Sequence, residues 1–347
     1  MKRHRHLFEQ VCCWDNLLAA ARAACKGKRG RAAAASFFAR QEDEIVRLME
    51  ELSTGAYRPG AYHYFEIREP KVRIVAAAPF RDRVVHHAVV RVLEPIFERR
   101  FIDDSFACRK GKGTHAAMHR AHQFARRFCY ALKCDVAKYF PSIDHEILKI
   151  QLARAVGDTR LLDVVRLIIG SHRDELRKEW EPGADLFGVS LRPVGLPIGN
   201  LTSQFFANVY LNDLDHFVKH DLRVKGYARY VDDFLLFGDD RSLLKQHGAA
   251  IREKLRALRL TIHPDKYRLL PTDKGVDFVG FVLYSNGRRR LRRANVRRFQ
   301  RRYRRMMWEV RRGERKPSDV STRVRCWIAH ASHAQSYALR RDVLRGV

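Results

Sequence analysis

Three aspartates lie in sequence contexts that are more typical of a functional site than of a solvent-exposed surface. Asp135 ends the apolar segment 130–135, and the adjacent pair Asp232 and Asp233 interrupts the apolar stretch 227–238. A surface turn also accepts adjacent aspartates, but here apolar residues continue on both sides of the pair. Carboxylates held together in a buried setting usually share a cation, and Mg²⁺ prefers oxygen ligands, so the pattern predicts a magnesium site.

The composition indicates a polyanionic partner. The chain of 347 residues has 68 Lys and Arg against 39 Asp and Glu, a formal net charge of +29. An excess of this size favours nucleic acid over small neutral substrates. No uncharged run approaches the length of a membrane-spanning helix, and polar residues interrupt the apolar stretch 11–24, so we expect a cytoplasmic protein without a membrane partner. In such a protein, two Mg²⁺ ions held by three carboxylates would activate a 3′-hydroxyl and stabilise the departing pyrophosphate.

Other candidate motifs are weaker. Residues 107–114 form a Gly/Lys loop that lacks the Ser or Thr which a P-loop requires after its lysine. The histidines His115, His119 and His122 share a helical spacing, but no carboxylate joins them, so a polar helix face is favoured over a metal site. Seven cysteines, an odd number without a C-x-x-C pair, argue against both a disulfide framework and a zinc site.

The elements before the first aspartate are predicted to mix short strands and helices. Segments 62–67 and 72–76 have β-like composition. A helix follows, which Asp82 should cap and Pro95 should end or kink. Beyond Asp135, a further helical region is predicted over about 144–170.

The elements that carry the aspartates are predicted to be mainly strands. Segment 130–135 is predicted to be a strand, and 227–238 a hairpin with two apolar arms around a charged tip. An apolar helix is predicted from residue 201 to about 214, and 276–284 is predicted to be one final strand.

The C-terminal part of the chain is dominated by arginine. Residues 288–316 contain fifteen Lys and Arg against two Glu. An apolar seam at helical spacing, which includes Val296, Phe299 and Tyr303, indicates an amphipathic helix. A solvated helix packed on the body is one interpretation. Arginines at this density repel one another. This cost favours a helix face that binds the phosphates of nucleic acid.

The ordered motifs resemble those of reverse transcriptases. Residues 230–234, Tyr-Val-Asp-Asp-Phe, resemble the Y-x-D-D metal motif, and 135–140 resembles the first metal motif, D-x-x-x-[FY]-[FY]. Further similar blocks are Asp82-Arg83, 93–98 and 105–109 of the group II intron and retroelement branch, Lys266 of the following palm motif, and 278–281 of the primer grip. The resemblance covers about residues 57–285, with the motifs in the family's order.

One sequence block indicates which branch of the reverse transcriptases the chain resembles. Intron-type enzymes usually have Q-G-x-x-x-S-P where this chain has Ile198-Gly-Asn-Leu-Thr-Ser-Gln204. This form is similar to the reverse transcriptases of diversity-generating retroelements. Those enzymes copy a template RNA with errors concentrated at adenines, and the mutated cDNA replaces a variable region in a target gene.

The resemblance implies a role for individual residues. Asp135, Asp232 and Asp233 would be catalytic and would hold two Mg²⁺ ions, which Mn²⁺ could replace, with the backbone carbonyl of Val136 as a further ligand. The residues implied to bind the nucleotide are Lys71, Arg73, Ala137, Lys138, Tyr139, Phe140, Ile198, Gly199, Gln204 and Lys266. Those implied to bind nucleic acid are Tyr230, Arg289, Arg293, Arg297, Arg301 and Arg304. Phe140 would be the steric gate that excludes a 2′-hydroxyl, with a core aromatic as the less favoured interpretation, and Lys266 could be a surface lysine.

Position 198 has a physical interpretation of its own. In the family pattern this side chain lies beside the incoming nucleotide and the templating base. A glutamine can hydrogen-bond the nucleotide there, whereas Ile198 offers only its shape. Losing such a bond would weaken discrimination by ~1–3 kcal/mol. We therefore expect Ile198 to contribute to infidelity, although this does not explain why adenine is singled out.

The predicted fold is α+β, a right-hand polymerase whose palm has an antiparallel sheet with the three aspartates. The predicted domains are a basic helical extension over 1–56, fingers over about 57–130 and 145–190, a palm over about 130–145 and 191–285, and an arginine-rich helical thumb over 286–347. The partners implied by the resemblance are template RNA, the RNA–cDNA duplex, dNTPs and an oligomeric accessory variability protein. A bacterial or phage gene is expected.

Two alternatives remain open. A group II intron-type or solitary bacterial reverse transcriptase of ordinary fidelity would keep the chemistry, but Gln204 disfavours it. A catalytically silent, polymerase-like RNA-binding protein would not need two adjacent acids. Metal-dependent primer extension separates an enzyme from the silent protein, and an error spectrum separates the two enzymes.

Overall fold

The chain is divided into two compact units. The structure, a computed structural model, describes residues 3–68, 72–172 and 192–345. Unit 1 consists of Met1–Ile102, Val136–His216 and Glu253–Thr261, and unit 2 of Asp103–Asp135, Phe217–Arg252 and Ile262–Val347. Of the predicted fingers segment 145–190, residues 173–190 lie outside the described residues.

Helices and strands alternate along the described chain. The helices are α1 (Phe8–Cys12), α2 (Trp14–Cys25), α3 (Ala32–Ala39), α4 (Gln41–Ser53), α5 (Phe80–Glu98), α6 (Thr114–Arg127), α7 (Tyr139–Ser142), α8 (His145–Ala153), α9 (Thr159–Gly170), α10 (Leu201–His216), α11 (Arg241–Ala257), α12 (Arg293–Arg311), α13 (Pro317–Ala331) and α14 (Tyr337–Arg345). The strands are β1 (His63–Ile67), β2 (Arg73–Ala77), β3 (Tyr130–Asp135), β4 (Gly226–Tyr230), β5 (Asp233–Gly238), β6 (Arg268–Pro271), β7 (Val276–Phe278), β8 (Phe281–Leu283) and β9 (Arg289–Leu291).

Unit 1 is built around α5, against which α1, α2, α3 and α10 pack. The prediction that Asp82 caps this helix was wrong, because α5 begins at Phe80. Asp82 lies in the first turn, where its buried carboxylate accepts hydrogen bonds from the Tyr57 hydroxyl at 2.9 Å and the Gly60 amide at 2.8 Å. The helix continues through Pro95 and ends three residues later, because proline removes only one amide donor near the end of the helix.

Buried His86 on α5 makes the stability of unit 1 sensitive to acid. Neither ring nitrogen has a hydrogen-bond partner among the described residues, and burial lowers the pKa of this imidazole from 6.5 to about 3. The unfolded chain therefore takes up a proton below pH 6.5 that the folded chain excludes. We expect the free energy of unfolding to fall by about 1.4 kcal/mol per pH unit from this group as the pH drops from 6.5 towards 3.

Denaturant unfolding of the whole chain between pH 7.5 and 4.5 tests this expectation. The variant His86→Leu removes the proton-binding group, so its stability should depend less steeply on pH than that of the wild type. Equal slopes for the two proteins would contradict the assignment to His86.

The central sheet of unit 2 is antiparallel, with the strand order β4-β5-β3-β6. The predicted hairpin is present as β4 and β5, and the predicted strand 130–135 is β3. Strand β3 lies between β5 and β6, and most of its side chains are buried. Residues 130–133 of β3 are paired on both edges, and Asp135 at its end is paired with β5 alone.

The predicted single strand over 276–284 was wrong. The segment is a tight hairpin of β7 and β8, which β9 extends into a separate three-stranded sheet. The chain reverses at Val279 and Gly280, whose φ angles are 43° and 91°. A Cβ on Gly280 would lie 2.9 Å from Asn295 Nδ2, so this turn needs glycine. Apolar residues on both sides of Gly280 made the segment resemble one strand.

Helix α12 has the amphipathic pattern predicted for the arginine-rich segment. Val296 and Met306 are buried, and the Phe299 ring stacks on Trp327 of α13 with centroids 4.1 Å apart. Of the predicted duplex-binding residues, the exposed ones on α12 are Arg293, Arg297, Arg301 and Arg304. In the described segments, no helix combines the length and apolarity needed to cross a membrane.

Candidate active site

The three aspartates lie at the point where β3 ends and the β4–β5 hairpin turns. Asp135 and Asp233 are directly opposite each other in the β3–β5 register. Tyr230 pairs with Asp233 across the hairpin, so Val231 and Asp232 form its two-residue turn. Val231 has a φ of 58°, a left-handed conformation that a two-residue hairpin turn requires and that is costly for a β-branched residue. The chain thus accepts local strain to place two adjacent carboxylates beside a third.

Two lysines lie against these carboxylates. Lys133 Nζ is 3.5 Å from Asp233 Oδ2 and donates a hydrogen bond to the Asp277 carbonyl at 2.7 Å. Lys266, which precedes β6, has its Nζ 2.6 Å from Asp135 Oδ1. The ammonium groups of Lys133 and Lys266 therefore supply positive charge beside Asp233 and Asp135. Across the described ranges, no three His, Cys, Asp or Glu side chains are grouped as a preformed metal site.

The environment of Asp233 nevertheless suits a hard cation. Its Oδ1 atom is buried and has no hydrogen-bond partner among the described residues. Burial, together with repulsion from Asp135, Asp232 and Asp277, raises the pKa of the Asp233 carboxyl to about 7, although Lys133 opposes the shift. A divalent ion would satisfy the orphaned oxygen and remove this repulsion. The residues present therefore fit magnesium, provided that the Lys266 amine leaves Asp135.

Buried Arg229 holds the hairpin turn, and sequence reasoning missed it. This residue of β4 is fully buried, and its Nη1 donates to the Val231 carbonyl at 3.0 Å. Its Nη2 donates to Ser105 Oγ at 3.0 Å, and its amide donates to the Asp104 carbonyl at 2.9 Å. The guanidinium therefore fixes the backbone one residue before Asp232. A cation inside an otherwise apolar strand was the sequence signal that could have revealed it.

The other residues of unit 2 that were predicted to bind nucleic acid lie in different environments. The Tyr230 hydroxyl is 3.1 Å from Thr114 Oγ1, which orients the ring at the start of α6. Arg289 is half-buried, with its Nη1 3.3 Å from His119 Nδ1, whereas the α12 arginines are exposed.

The histidine face of α6 packs against α13. The His115 ring stacks on His333 with centroids 3.6 Å apart, and its Nε2 is 3.2 Å from His330 Nδ1. Burial, followed by repulsion from these histidines, lowers the pKa of His115. The face is polar as expected, but it forms a contact between two helices of unit 2.

Unit 1 brings several predicted nucleotide-binding residues together near β2, the strand that begins at Arg73. The Ala76 amide donates to the Ile198 carbonyl at 3.0 Å, and Asn200 Nδ2 donates to the Ala76 carbonyl at 2.9 Å. Gly199 has a φ of 118°, and a Cβ there would lie 2.7 Å from Val75 Cγ1. Segment 198–200 is therefore docked on the edge of β2, and glycine is required for its close approach.

The segment after Asp135 contacts the chain just before Ile198. The Leu196 amide donates to the Phe140 carbonyl at 2.9 Å, and the Ala137 amide donates to the Thr261 carbonyl at 2.8 Å. Phe140 is half-buried, and Gln204 of α10 is exposed.

Tyr139 and Lys138 of this segment lie in different environments. Tyr139 is buried, and its hydroxyl donates to the Ala207 carbonyl at 2.5 Å, so its side chain belongs to the core. Lys138 is exposed in a left-handed conformation with a φ of 44°. Lys71, the remaining predicted residue, lies outside the described residues.

The chain is similar to intron-encoded proteins and to bacterial relatives. It is 25% identical over 291 residues to Protein YkfC of Escherichia coli, covering 71% of this chain and 72% of that protein. It is 24% identical over 180 residues to the group II intron-encoded protein LtrA of Lactococcus lactis, covering 51% of this chain and 28% of that protein. It is 21% identical over 232 residues to the putative COX1/OXI3 intron 1 protein of Saccharomyces cerevisiae, covering 64% of this chain. The chain spans only 25% of that yeast protein.

Structure and family comparisons identify the same fold. An apo telomerase from Candida tropicalis, truncated from the C-terminal domain, superposes with a TM-score of 0.50 at 12% identity, over 70% of this chain and 59% of that one. The family model described as reverse transcriptase (RNA-dependent DNA polymerase) matches residues 67–283. This match confirms the predicted fold and the predicted class of enzyme, an RNA-directed DNA polymerase. The chain belongs to the reverse transcriptase family.

Proposed function

We propose that this RNA-directed DNA polymerase extends a primer on template RNA with dNTPs and two magnesium ions, held by Asp135, Asp232 and Asp233. The observation that carries this proposal is the pairing of Asp135 with Asp233 in register, together with a buried Asp233 oxygen that has no hydrogen-bond partner in the part of the chain that the structure describes. The Val136 carbonyl, next in the chain, is the proposed further ligand. Bound magnesium supplies the charge that activates the 3′-hydroxyl and stabilises the departing pyrophosphate.

The side chains around these ligands have separate proposed tasks. Arg229 holds the hairpin turn so that Asp232 and Asp233 keep a fixed spacing. Lys266 neutralises Asp135 before the ions bind, and its ammonium is a proton donor for the leaving group once released. The contact of Arg229 with the turn is already formed in the structure, so this part of the site needs no reorganisation during the reaction.

Unit 1 supplies the proposed nucleotide-binding residues. Arg73 of β2 binds the triphosphate, and Phe140 excludes a 2′-hydroxyl by its bulk. The backbone of 137–139, with Gly199 and Gln204, completes this set. The hydrogen bonds that dock 198–200 on β2 support this proposal for Gly199, because they fix its segment against the strand that carries Arg73.

We also propose that the helices of the C-terminal segment 286–347 act as a thumb. The exposed arginines of α12 bind the phosphates of the RNA–cDNA duplex without reading its sequence. Residues 57–130 and 145–190 act as fingers, and 130–145 and 191–285 as the palm. Residues 1–56, which contain α1 to α4, are the N-terminal extension.

The proposed biological role is the diversification of a target gene through cDNA that is mutated at template adenines. Ile198 and Gln204 support it, because both depart from the usual intron-type block in the direction of diversity-generating retroelements. In this role the polymerase works in the cytoplasm of a bacterium with an oligomeric accessory variability protein. The Ile198 carbonyl is fixed by the Ala76 amide, so its side chain is presented from a fixed backbone position.

Substitution of Ile198 tests the structural basis of infidelity. We expect Ile198→Gln to lower misincorporation at template adenines about ten-fold, because the amide restores a hydrogen bond that rewards correct geometry. Ile198→Leu, which keeps an apolar side chain of equal size, is the control and should keep the wild-type error rate. Unchanged error rates in both Ile198→Gln and Ile198→Asn would refute the role of this residue.

An error spectrum tests the biological role. The wild-type chain would extend a primer on a defined RNA template, with and without a candidate accessory protein, and the cDNA would be sequenced. Errors concentrated at template adenines support a mutagenic retroelement polymerase. Accurate cDNA would favour the group II intron-type or solitary enzyme instead, which the similarity to the intron-encoded LtrA makes the second candidate.

A further inference from the structure

A basic groove runs across unit 1 between the segment that follows α4 and helix α9. It has a volume of about 990 Å³ and is lined by Ser53–Ala61, by Lys149 of α8 and by one face of α9 up to Ser171. Four cationic side chains line it against one carboxylate, that of Asp163. None of the residues assigned above to the metal ions or the nucleotide lines this groove.

The cations of the groove are held by neutral groups or by solvent-exposed acids. Arg58 Nη1 donates to the carbonyls of Gly55 and Tyr57, both at 2.8 Å, and among the described residues it has no carboxylate partner. Arg160 Nη2 donates to the Ser53 carbonyl at 3.0 Å, and its guanidinium lies 3.9 Å from the centroid of the Phe8 ring. Arg58 is held by carbonyls, and the carboxylate 3.8 Å from Arg160, that of Glu9, is exposed to solvent, so both guanidinium groups keep charge for an outside anion.

Aromatic side chains continue the groove at one end. The Tyr62 hydroxyl is 3.0 Å from Oγ of Ser171, which lines the groove. The Tyr62 ring is 6.4 Å from that of Tyr64 and 5.7 Å from that of His172, between centroids. Tyr64 is 54% exposed, a large value for an aromatic residue of a strand. We call Tyr62, Tyr64 and His172 the aromatic cluster.

We propose that the basic groove and the aromatic cluster together bind a single-stranded polynucleotide at a site separate from the proposed catalytic residues. Cations along a groove bind successive phosphates, and exposed rings stack on unpaired bases without requiring a sequence. A double helix would leave the aromatic cluster unused, because its bases are already stacked. Tyr62 and His172 are half-buried and Tyr64 is exposed, so the combination of groove cations with the exposed Tyr64 ring in one unit favours a single strand.

Equilibrium binding of the full-length chain to labelled, unstructured 30-nucleotide RNA and DNA strands tests the charged part of this site. The double variant Arg58→Gln/Arg166→Gln removes two groove cations. We expect its affinity to fall about ten-fold, and the slope of log affinity against log salt to lose about 1.4, since each single-strand phosphate contact contributes about 0.7. The control is Arg256→Gln, because Arg256 pairs with Glu253 three residues earlier, as Arg166 pairs with Asp163, but lies outside the groove.

The variant Tyr64→Ala tests the aromatic part. It should weaken binding about ten-fold without changing the salt slope, because stacking releases no counterions. Tyr64→Phe keeps the ring and should retain the wild-type affinity. An effect on one of the two strands alone would identify RNA or DNA as the ligand.

Binding is measured without polymerisation, so an inactive polymerase does not affect the outcome. Affinities and slopes of the groove and Tyr64 variants equal to those of Arg256→Gln, with all proteins folded, would overturn the proposal.

Discussion

The variant Asp233→Asn is expected to lose primer extension on an RNA template by about 1,000-fold or more. This corresponds to about 4 kcal/mol of lost transition-state stabilisation. An amide has almost the same shape as the carboxylate, but it carries no charge for a divalent ion. The loss should therefore appear in the rate of the chemical step, measured under single-turnover conditions with saturating template.

The same variant should not lose stability. The wild-type carboxylate is buried near Asp135, Asp232 and Asp277, and its raised pKa reports the cost of holding that charge. Removing the charge relieves this cost, so the unfolding temperature of Asp233→Asn should equal or exceed that of the wild type. RNA affinity should be unchanged.

The matched control is Asp273→Asn, because Asp273 is an exposed aspartate of the same unit, 3.9 Å from Lys274. It should extend primers at the wild-type rate. An active Asp233→Asn protein, or equal losses in both variants, would show that Asp233 does not hold a catalytic ion.

The second large effect is expected for Arg229→Met. Methionine fills much of the same space but leaves the Val231 carbonyl and Ser105 Oγ without their donor inside the protein. Unsatisfied buried groups of this kind destabilise a protein by about 3 kcal/mol in total. Urea unfolding would measure this loss directly.

The turn should also lose its position in the Arg229→Met variant. Because Arg229 fixes the backbone before Asp232, we expect the magnesium concentration for half-maximal extension to rise about ten-fold, in the manner of residues that orient metal ligands. Such a change in metal dependence separates a positioning role from simple destabilisation.

Ser105→Ala provides the control for Arg229. It removes only the Nη2 contact and leaves the Nη1 bond to Val231 in place. It should cost stability, but it should leave the magnesium dependence unchanged. If Arg229→Met and Ser105→Ala have the same magnesium dependence as the wild type, then Arg229 has a structural role only.

The predictable part of the site came from local patterns. Two adjacent acids within an apolar stretch indicated the hairpin, and its pairing with β3 places Asp135 opposite Asp233. The apolar seam of α12 was equally visible, because helical periodicity is a property of neighbouring residues. The sequence motif identified Ile198 and Gly199, but it did not predict that they dock on β2.

The rest depends on residues far apart in the chain. Nothing near Lys266 predicts that its amine pairs with Asp135, and nothing near Arg229 predicts that it reaches Ser105. Aspartate is a residue type that favours helix caps. The Asp82 carboxylate instead accepts hydrogen bonds from the Tyr57 hydroxyl and the Gly60 amide, because tertiary hydrogen bonds outweigh a local preference. Periodicity carries no information about such contacts.

The most direct test of the central claim is a magnesium titration of primer extension by the wild-type chain on an RNA template with dNTPs. If the carboxylates at the end of β3 and the β4–β5 turn hold catalytic magnesium, cDNA will appear only with the metal and its rate will saturate with magnesium concentration. A folded chain that binds the primed template, yet makes no cDNA at any magnesium or manganese concentration, would contradict this account.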